Sequence, residues 1–175
     1  MELREIAKRM MVSCLNVRAG EQVLIVTDDK KLPIGTALYN AAQDLGAEAL
    51  LMTMTPRQVS GEEPPAAVAA AMKAADVVIA PMATSITHTR AKIEAAKAGA
   101  RVATMPNITE DMFSQGAMTA DYDQVMDLTL RVTELLTKAA TARIEKDGCV
   151  LTLDRTGRPG AELTLHIFLR RKILC

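Results

Sequence analysis

The chain has 175 residues, and nearly half of them are apolar, which is enough for a hydrophobic core and excludes a disordered protein. These apolar residues are almost all aliphatic or Met, because the sequence contains no Trp and only two each of Phe and Tyr. Twenty-one basic and twenty-one acidic residues cancel, so neither net charge nor aromatic stacking favours a nucleic-acid-binding protein.

Short apolar runs alternate with amphipathic segments through the first two-thirds of the chain. The apolar runs predict four strands, at about residues 22–27, 48–54, 76–80 and 101–105. Helical spacing and capping residues predict four helices, at about residues 2–14, from Pro33 to Leu45, from Pro64 to Ala75, and from a cap at Ser85 or Thr87 to Ala98. Short links between them imply right-handed crossovers. The predicted fold class is therefore α/β, a doubly wound, mainly parallel, Rossmann-like sheet with helices on both faces.

The pattern changes after the fourth predicted strand. Asn107 or Thr109 is a candidate cap for a short helix, and Asp121 opens a long helix that we predict to extend to about Ala142. Residues 149–154 alternate between apolar and polar side chains like a new strand. A different kind of structure is therefore expected to begin in this part of the chain.

We divide the chain at this change of pattern. Residues 1–145 are predicted to form the α/β domain, and residues 146–175 the truncated start of a second domain or extra strands. The residues 157–160 are typical of a turn or linker, and the apolar tail at 163–175 stops without a cap or a polar finish.

The chain carries no sign of export or membrane insertion. Its first 15 residues form a charged amphipathic pattern rather than a signal peptide, and no apolar run approaches the roughly 20 residues of a membrane span. Cys14, Cys149 and Cys175 lie far apart without CxxC spacing, which favours free thiols over disulfides or a zinc site. We therefore predict a cytoplasmic protein that binds neither membrane nor nucleic acid.

A ligand site is expected where the order of the parallel strands reverses, beyond their carboxyl ends. With strand order 2-1-3-4, two polar loops converge there, at residues 27–30 and 81–90. The candidate substrate- or ligand-binding residues in these loops are Asp28, Asp29, Ser85, Thr87, His88, Thr89 and Arg90. Unpaired N–H groups at a helix start could hold an anionic group there. Alternatively, Ser85 and Thr87 only cap the helix and His88 lies in its first turn.

The adjacent acids Asp28 and Asp29 allow several interpretations. In a phosphorelay receiver they would form a Mg²⁺ pocket, but the third predicted strand ends Ile79-Ala-Pro-Met82 without the phosphoacceptor acid. Two carboxylates alone are also too few ligands for a metal. The neighbouring lysines and Pro33 favour a solvated turn between a buried strand and a helix.

Common catalytic motifs are missing from the sequence. It contains no GxGxxG, no GxxxxGK[ST], no GxSxG and no HExxH. His88 and His166 therefore have no metal-site context, and Cys14 falls on a predicted core helix. We predict no catalytic residue and no metal ligand in this chain.

Several segments, in order, carry a family resemblance. They are Arg18–Asp28, Glu63–Pro65, Ala74–Ile79, Ser85–Ala91, Gly99–Val102 and Met105–Met112, followed by the pair Gly157-Arg158. Together they resemble the N-terminal domain of the M29 metallo-aminopeptidases, the thermophilic leucyl aminopeptidase or aminopeptidase T group. The resemblance covers about residues 3–158.

The resemblance implies a cytoplasmic, dimeric exopeptidase that depends on zinc or cobalt. In that family the metal ligands belong to a C-terminal catalytic domain, and after Gly160 this chain departs from the family pattern. No ligand carries over, and His166 is interpreted as structural. The resemblance thus implies a domain without a cofactor of its own. This domain would form one wall of the substrate cleft and contribute to dimerisation of the protein.

A second hypothesis belongs to a different class. The chain would then be a non-catalytic α/β module that binds a small anionic ligand at the 81–90 loop, or that only self-associates. Both hypotheses expect a homo-oligomer, and both allow a small-molecule or peptide ligand.

Overall fold

Four parallel strands form the central sheet in the computed structural model, which describes residues 3–157. The spatial order is β2-β1-β3-β4, so the chain reverses direction across the sheet between β1 and β3. This arrangement confirms the predicted doubly wound α/β fold. The strands are β1 (Gln22–Asp28), β2 (Glu48–Met54), β3 (Val77–Met82) and β4 (Arg101–Pro106).

Helices cover both faces of this sheet. They are α1 (Leu3–Leu15), α2 (Leu32–Asp44), α3 (Ala66–Ala74) and α4 (Arg90–Ala98). Because side chains alternate along a strand, Val23 and Ile25 of β1 pack with α1 and α2, whereas Leu24 and Val26 pack with α3 and α4. Two buried faces explain why the strands are continuous apolar runs rather than alternating ones.

Two glycines lie at helix ends. Gly99 is the C-terminal cap of α4 with φ 111°, and Gly46 follows α2 with φ 76°. Both values are in the left-handed region, which glycine adopts without the steric cost of a Cβ atom.

The chain after β4 adds two short helical turns, a long helix and a hairpin. Its elements are α5 (Glu110–Ser114), a 3₁₀ turn (Ala117–Thr119), α6 (Tyr122–Lys138), β5 (Thr141–Lys146) and β6 (Cys149–Asp154). Thr109 caps α5, since its side chain accepts a hydrogen bond from the Met112 amide at 3.1 Å. Among the helices of residues 3–157, none has the length and apolar character needed to cross a membrane.

The prediction that the long helix reaches Ala142 is wrong. The helix ends at Lys138, and Ala142 lies in β5, where it pairs antiparallel with Leu153. Cross-strand pairing therefore overrides the helix-forming alanines. The proposed boundary at 145/146 falls within this hairpin. The predictions for residues beyond 157, including Arg158, His166 and the apolar tail, lie outside the described part of the chain.

Candidate functional site

The crevice between β1 and β3 lies at the carboxyl edge of the sheet. The β1–β2 ladder runs to Asp28, and the β3–β4 ladder runs to Met82. In contrast, the β1–β3 register ends at Ile25 and Ile79, three residues before either strand finishes. The two central strands thus lack a shared backbone ladder where an α/β sheet usually binds its ligands.

Pro81 gives a physical reason for this break. Its carbonyl faces β1, because the buried Thr27 hydroxyl donates to it at 2.9 Å. The nitrogen of a strand residue points to the same side as its carbonyl, so the N–H that proline lacks is one that would have faced β1. A side-chain hydrogen bond replaces the missing backbone bond.

Asp28 supplies the second link across the crevice. Its side chain is fully buried, with one carboxylate oxygen accepting from the Lys30 amide at 3.0 Å and the other from the Ala83 amide at 2.6 Å. Hydrogen bonds to an ionised acceptor are stronger than neutral ones. The carboxylate therefore joins the loop after β1 to the loop after β3, while Asp29 is exposed in the turn that follows.

The start of α4 differs from the prediction. Its N-cap is Thr89, whose hydroxyl accepts from the Lys92 amide at 3.3 Å and donates to the Ile86 carbonyl at 2.7 Å. The prediction that Ser85 or Thr87 caps the helix is wrong, because the chain continues through a turn before the first helical residue.

Ser85 and Thr87 form a hydroxyl chain instead. The Ser85 hydroxyl donates to the Thr87 hydroxyl at 2.9 Å and accepts from the Thr87 amide at 3.2 Å. Thr87 also shares a 2.8 Å hydrogen bond with the hydroxyl of Thr104 on β4. These bonds fix the loop after β3 to the neighbouring strand.

Glu63 is a residue of this site that the sequence analysis did not select as a candidate. Its carboxylate accepts from the Arg90 amide at 2.5 Å and the Ala91 amide at 3.1 Å. Together with Thr89, it accepts hydrogen bonds from the N–H groups at the start of α4, which the sequence analysis expected to be unpaired. The protein's own carboxylate therefore lies where an anionic ligand was expected, as the helix dipole favours.

The loop after β2 brings Glu63 to this position. The Gly61 amide donates to the Ser85 carbonyl at 2.8 Å, and the Ser85 amide donates to the Ser60 hydroxyl at 3.3 Å. Glu62 accepts from the Gln58 amide at 2.9 Å, and chiefly this hydrogen bond holds the pKa of the Glu62 carboxyl below its usual value. Since Glu63 precedes Arg90 by 27 residues, no local spacing in the sequence signals their contact.

The predicted site residues differ in accessibility. Asp28 and Thr89 are buried, and Ser85 and Thr87 are half-buried. Asp29, His88 and Arg90 are exposed. The Asp28 carboxylate accepts a hydrogen bond from Ala83 in the loop after β3, and Ala83 is not one of the predicted site residues. The shared edge is thus held by backbone amides and hydroxyls.

Metal-binding chemistry finds little support in the part of the chain that is described. Across residues 3–157, no three His, Cys, Asp or Glu side chains are grouped so that they could hold a metal ion. Both oxygens of Asp28 already accept backbone hydrogen bonds.

A separate cavity of about 300 Å³ lies at the start of α2, lined by Lys30, Lys31, Pro33, Ile34, Ile108, Thr109 and Glu110.

Comparison with known proteins adds a fold likeness. No protein-family profile and no curated protein matches this sequence. The solved structure of 2,5-dihydroxypyridine dioxygenase from Pseudomonas putida KT2440 matches with a TM-score of 0.66 and 17% sequence identity, over 87% of this chain and 46% of that chain. The chain thus spans about half the length of that enzyme, and the likeness shows the shared α/β fold.

Proposed function

We propose that this chain is the non-catalytic α/β part of a two-domain metallo-aminopeptidase-like protein, and that the carboxyl edge of its sheet walls the substrate cleft. The observation that carries this proposal is the use of both site carboxylates within the protein. Asp28 and Glu63 each accept two backbone N–H groups. Carboxylates bonded in this way shape and stabilise a surface, and Asp28 is in addition fully buried, so a ligand cannot contact it.

The zinc or cobalt of the resembled family does not fit the described residues. Asp28 is fully buried, Asp29 is exposed beside Lys30, and no group of three ligand-type side chains is present between residues 3 and 157. In the proposal, hydrolysis of a peptide N-terminus requires a second domain. This chain contributes a rigid wall that orients the peptide.

Metal content and leucyl-substrate turnover test the proposal directly. The purified chain is expected to retain no stoichiometric zinc or cobalt and to show no aminopeptidase turnover. Stoichiometric metal together with turnover would place a catalytic site within this chain and contradict the proposal.

Amide chemical shifts test the wall itself. Titration with a leucyl dipeptide is expected to move the signals of residues 29–31 and 83–90, because they face the carboxyl edge. Amides at the opposite edge, such as those near Gly20 and Gly99, serve as the internal control. Shifts confined to the opposite edge would contradict the assignment of this surface.

The second candidate function is binding of a small anionic ligand, and two polar atoms favour it. Within the described residues, the Thr84 hydroxyl and Nε of Arg57 are buried without a hydrogen-bond partner. They lie in the loops after β3 and β2, and each could donate to an acceptor oxygen of a ligand. Inorganic phosphate is a suitable probe, with Arg57→Gln expected to abolish binding and Arg143→Gln, on the distant hairpin, expected to preserve it.

A further inference from the structure

The cavity at the start of α2 lies beside the crevice between β1 and β3. Lys30 and Lys31 line it from the loop after β1, and Ile108 and Glu110 line it from the segment after β4. Ile34 belongs to the core beneath α1 and α2, and Ile108 packs against that core, so the cavity lies on this face of the sheet. It flanks the point where the strand order reverses, the usual position of a ligand in this class of fold. We call it the α2 cavity.

Backbone hydrogen bonds hold both walls of the α2 cavity. On one side, Asp28 accepts from the Lys30 amide through its carboxylate and from the Lys31 amide through its carbonyl, each at 3.0 Å. On the other side, the Asn107 amide donates to the Met82 carbonyl at 2.8 Å, which joins the segment after β4 to the end of β3. A site whose walls are held before the ligand arrives loses less conformational entropy on binding.

Opposite charges line the α2 cavity without neutralising one another. Among residues 3–157, neither Lys30 nor Lys31 lies within ion-pairing distance of a carboxylate, and Glu110 has no cationic partner at that distance. The neighbouring acids Asp29 and Asp111 are exposed and do not line the cavity. The start of α2 adds to the positive side, because no side chain caps this helix and its dipole favours an anion. Two ammonium groups and one carboxylate are therefore available to a ligand.

Two isoleucines give the α2 cavity an apolar surface as well. Ile34 is 2% exposed, and Ile108 is half-buried across the cavity from it. An aliphatic side chain of a ligand would cover this surface from water, and that burial is favourable. A volume of about 300 Å³ is at the lower end for small-molecule sites, which suits a ligand of dipeptide size.

The lining as a whole matches a zwitterion with an aliphatic side chain. The C-terminal carboxylate of a peptide matches the two lysines, its N-terminal ammonium matches Glu110, and a leucyl side chain matches the isoleucines. We propose that the α2 cavity binds a short aliphatic peptide through both of its charged ends. This inference rests on the proposed function, and it narrows the substrate of the cleft wall to small peptides with a free C-terminus.

Amide chemical shifts measured with three ligands test the proposal. Leucyl-leucine is expected to bind saturably and to move the amide signals of Lys31, Ile34, Ile108 and Glu110. Leucyl-leucinamide and N-acetyl-leucyl-leucine each lack one terminal charge, and they should bind roughly tenfold more weakly or worse. Equal affinities for the three ligands, no saturable binding, or unmoved signals at residues 108–110 would overturn the proposal.

Charge-removing variants connect each end of the ligand to its residue. With Lys30→Gln and Lys31→Gln combined, leucyl-leucine should bind no better than its amide, and in Glu110→Gln it should bind no better than its acetylated form. Lys73→Gln on α3 and Glu48→Gln at the start of β2 remove the same charges away from the cavity and should leave every affinity unaltered. Variants that weaken all three ligands equally would overturn the assignment of the two ends.

The proposed function and this inference can fail separately. Shifts at residues 83–90 without shifts at 108–110 would support the cleft wall and remove the α2 cavity as its binding site. Stoichiometric metal with leucyl turnover would contradict the proposed function, whereas the dependence of affinity on the two terminal charges would still support peptide binding in the cavity.

Discussion

The Asp28 carboxylate accepts a hydrogen bond from the Ala83 amide across the gap between β1 and β3, where the backbone ladder between these strands has already ended. A hydrogen bond to one buried carboxylate thus replaces a backbone hydrogen bond between two loops, and the two residues it joins are 55 positions apart. The contact explains why an acid follows a buried apolar strand in a chain that shows no catalytic motif.

Asp28→Asn is expected to lower the free energy of unfolding by about 1–3 kcal/mol. The amide has the same size, but its NH₂ group meets one of the two backbone N–H donors and cannot accept from it. Urea denaturation measures the loss. Asp29→Asn is the matched control, because Asp29 is exposed and should change stability by less than about 0.5 kcal/mol. Equal effects at the two positions would contradict the bridging role of Asp28.

Gly35→Ala is expected to destabilise the protein although alanine is the better helix former. A Cβ atom at position 35 would lie 3.0 Å from both Cβ and Cγ2 of Thr27, in the closely packed contact of α2 with β1. Overpacking of this kind costs about 1–3 kcal/mol and outweighs a propensity gain of about 1 kcal/mol.

Thr27→Ser provides the test of that explanation. It removes Cγ2 but keeps the hydroxyl that donates to Pro81. The combined variant with Gly35→Ala should therefore lose less stability than the sum of the two single changes. Strict additivity in thermal unfolding would show that the added Cβ atom does not compete with Cγ2 of Thr27 for the same space.

Glu63→Gln is expected to weaken the start of α4. The neutral amide retains an acceptor oxygen but loses the charge interaction with the helix dipole and one of two acceptors, a cost of about 0.5–2 kcal/mol. Faster amide hydrogen exchange at Arg90 and Ala91 is the specific readout. Glu94→Gln, a surface change on the same helix, should leave the exchange of these two amides unaltered.

Cys14 is expected to make stability depend on alkaline pH. Burial raises the pKa of its thiol from 9.0 to about 11, so the folded state holds the proton more tightly than the unfolded state. The resulting stabilisation is complete below pH 9 and is lost as the pH rises towards 11, to a total of up to about 3 kcal/mol.

Cys14→Ala isolates this contribution. The variant should show a flatter dependence of unfolding free energy on pH between 9 and 11, whatever its stability at pH 7. Burial also raises the pKa of Tyr122 to about 12, so the remaining dependence should move to higher pH. An unchanged slope in the variant would show that another group controls the alkaline transition.

The strands could be predicted from the sequence because each is a short apolar run between turn residues, whereas their order, 2-1-3-4, was an assumption that the structure matches. The contacts of the site could not, since Glu63 and Asp28 bind amides 27 and 55 residues away and no local pattern reports such distances. The start of α4 was misplaced because Ser85, Thr87 and Thr89 are equally suitable caps by residue type. Only the turn that precedes Arg90 distinguishes them.

Pro81 makes the middle of the sheet its weakest line. Near the carboxyl edge, the side-chain bonds of Thr27 and Asp28 join β1 to β3 and the loop after it, whereas the outer pairs keep complete ladders. Breaking these two bonds would separate only the last three residues of β1 and β3, because the backbone ladder from Val23 to Ile25 would still join the two strands. The stiffness of this edge therefore depends on two side chains rather than on the backbone.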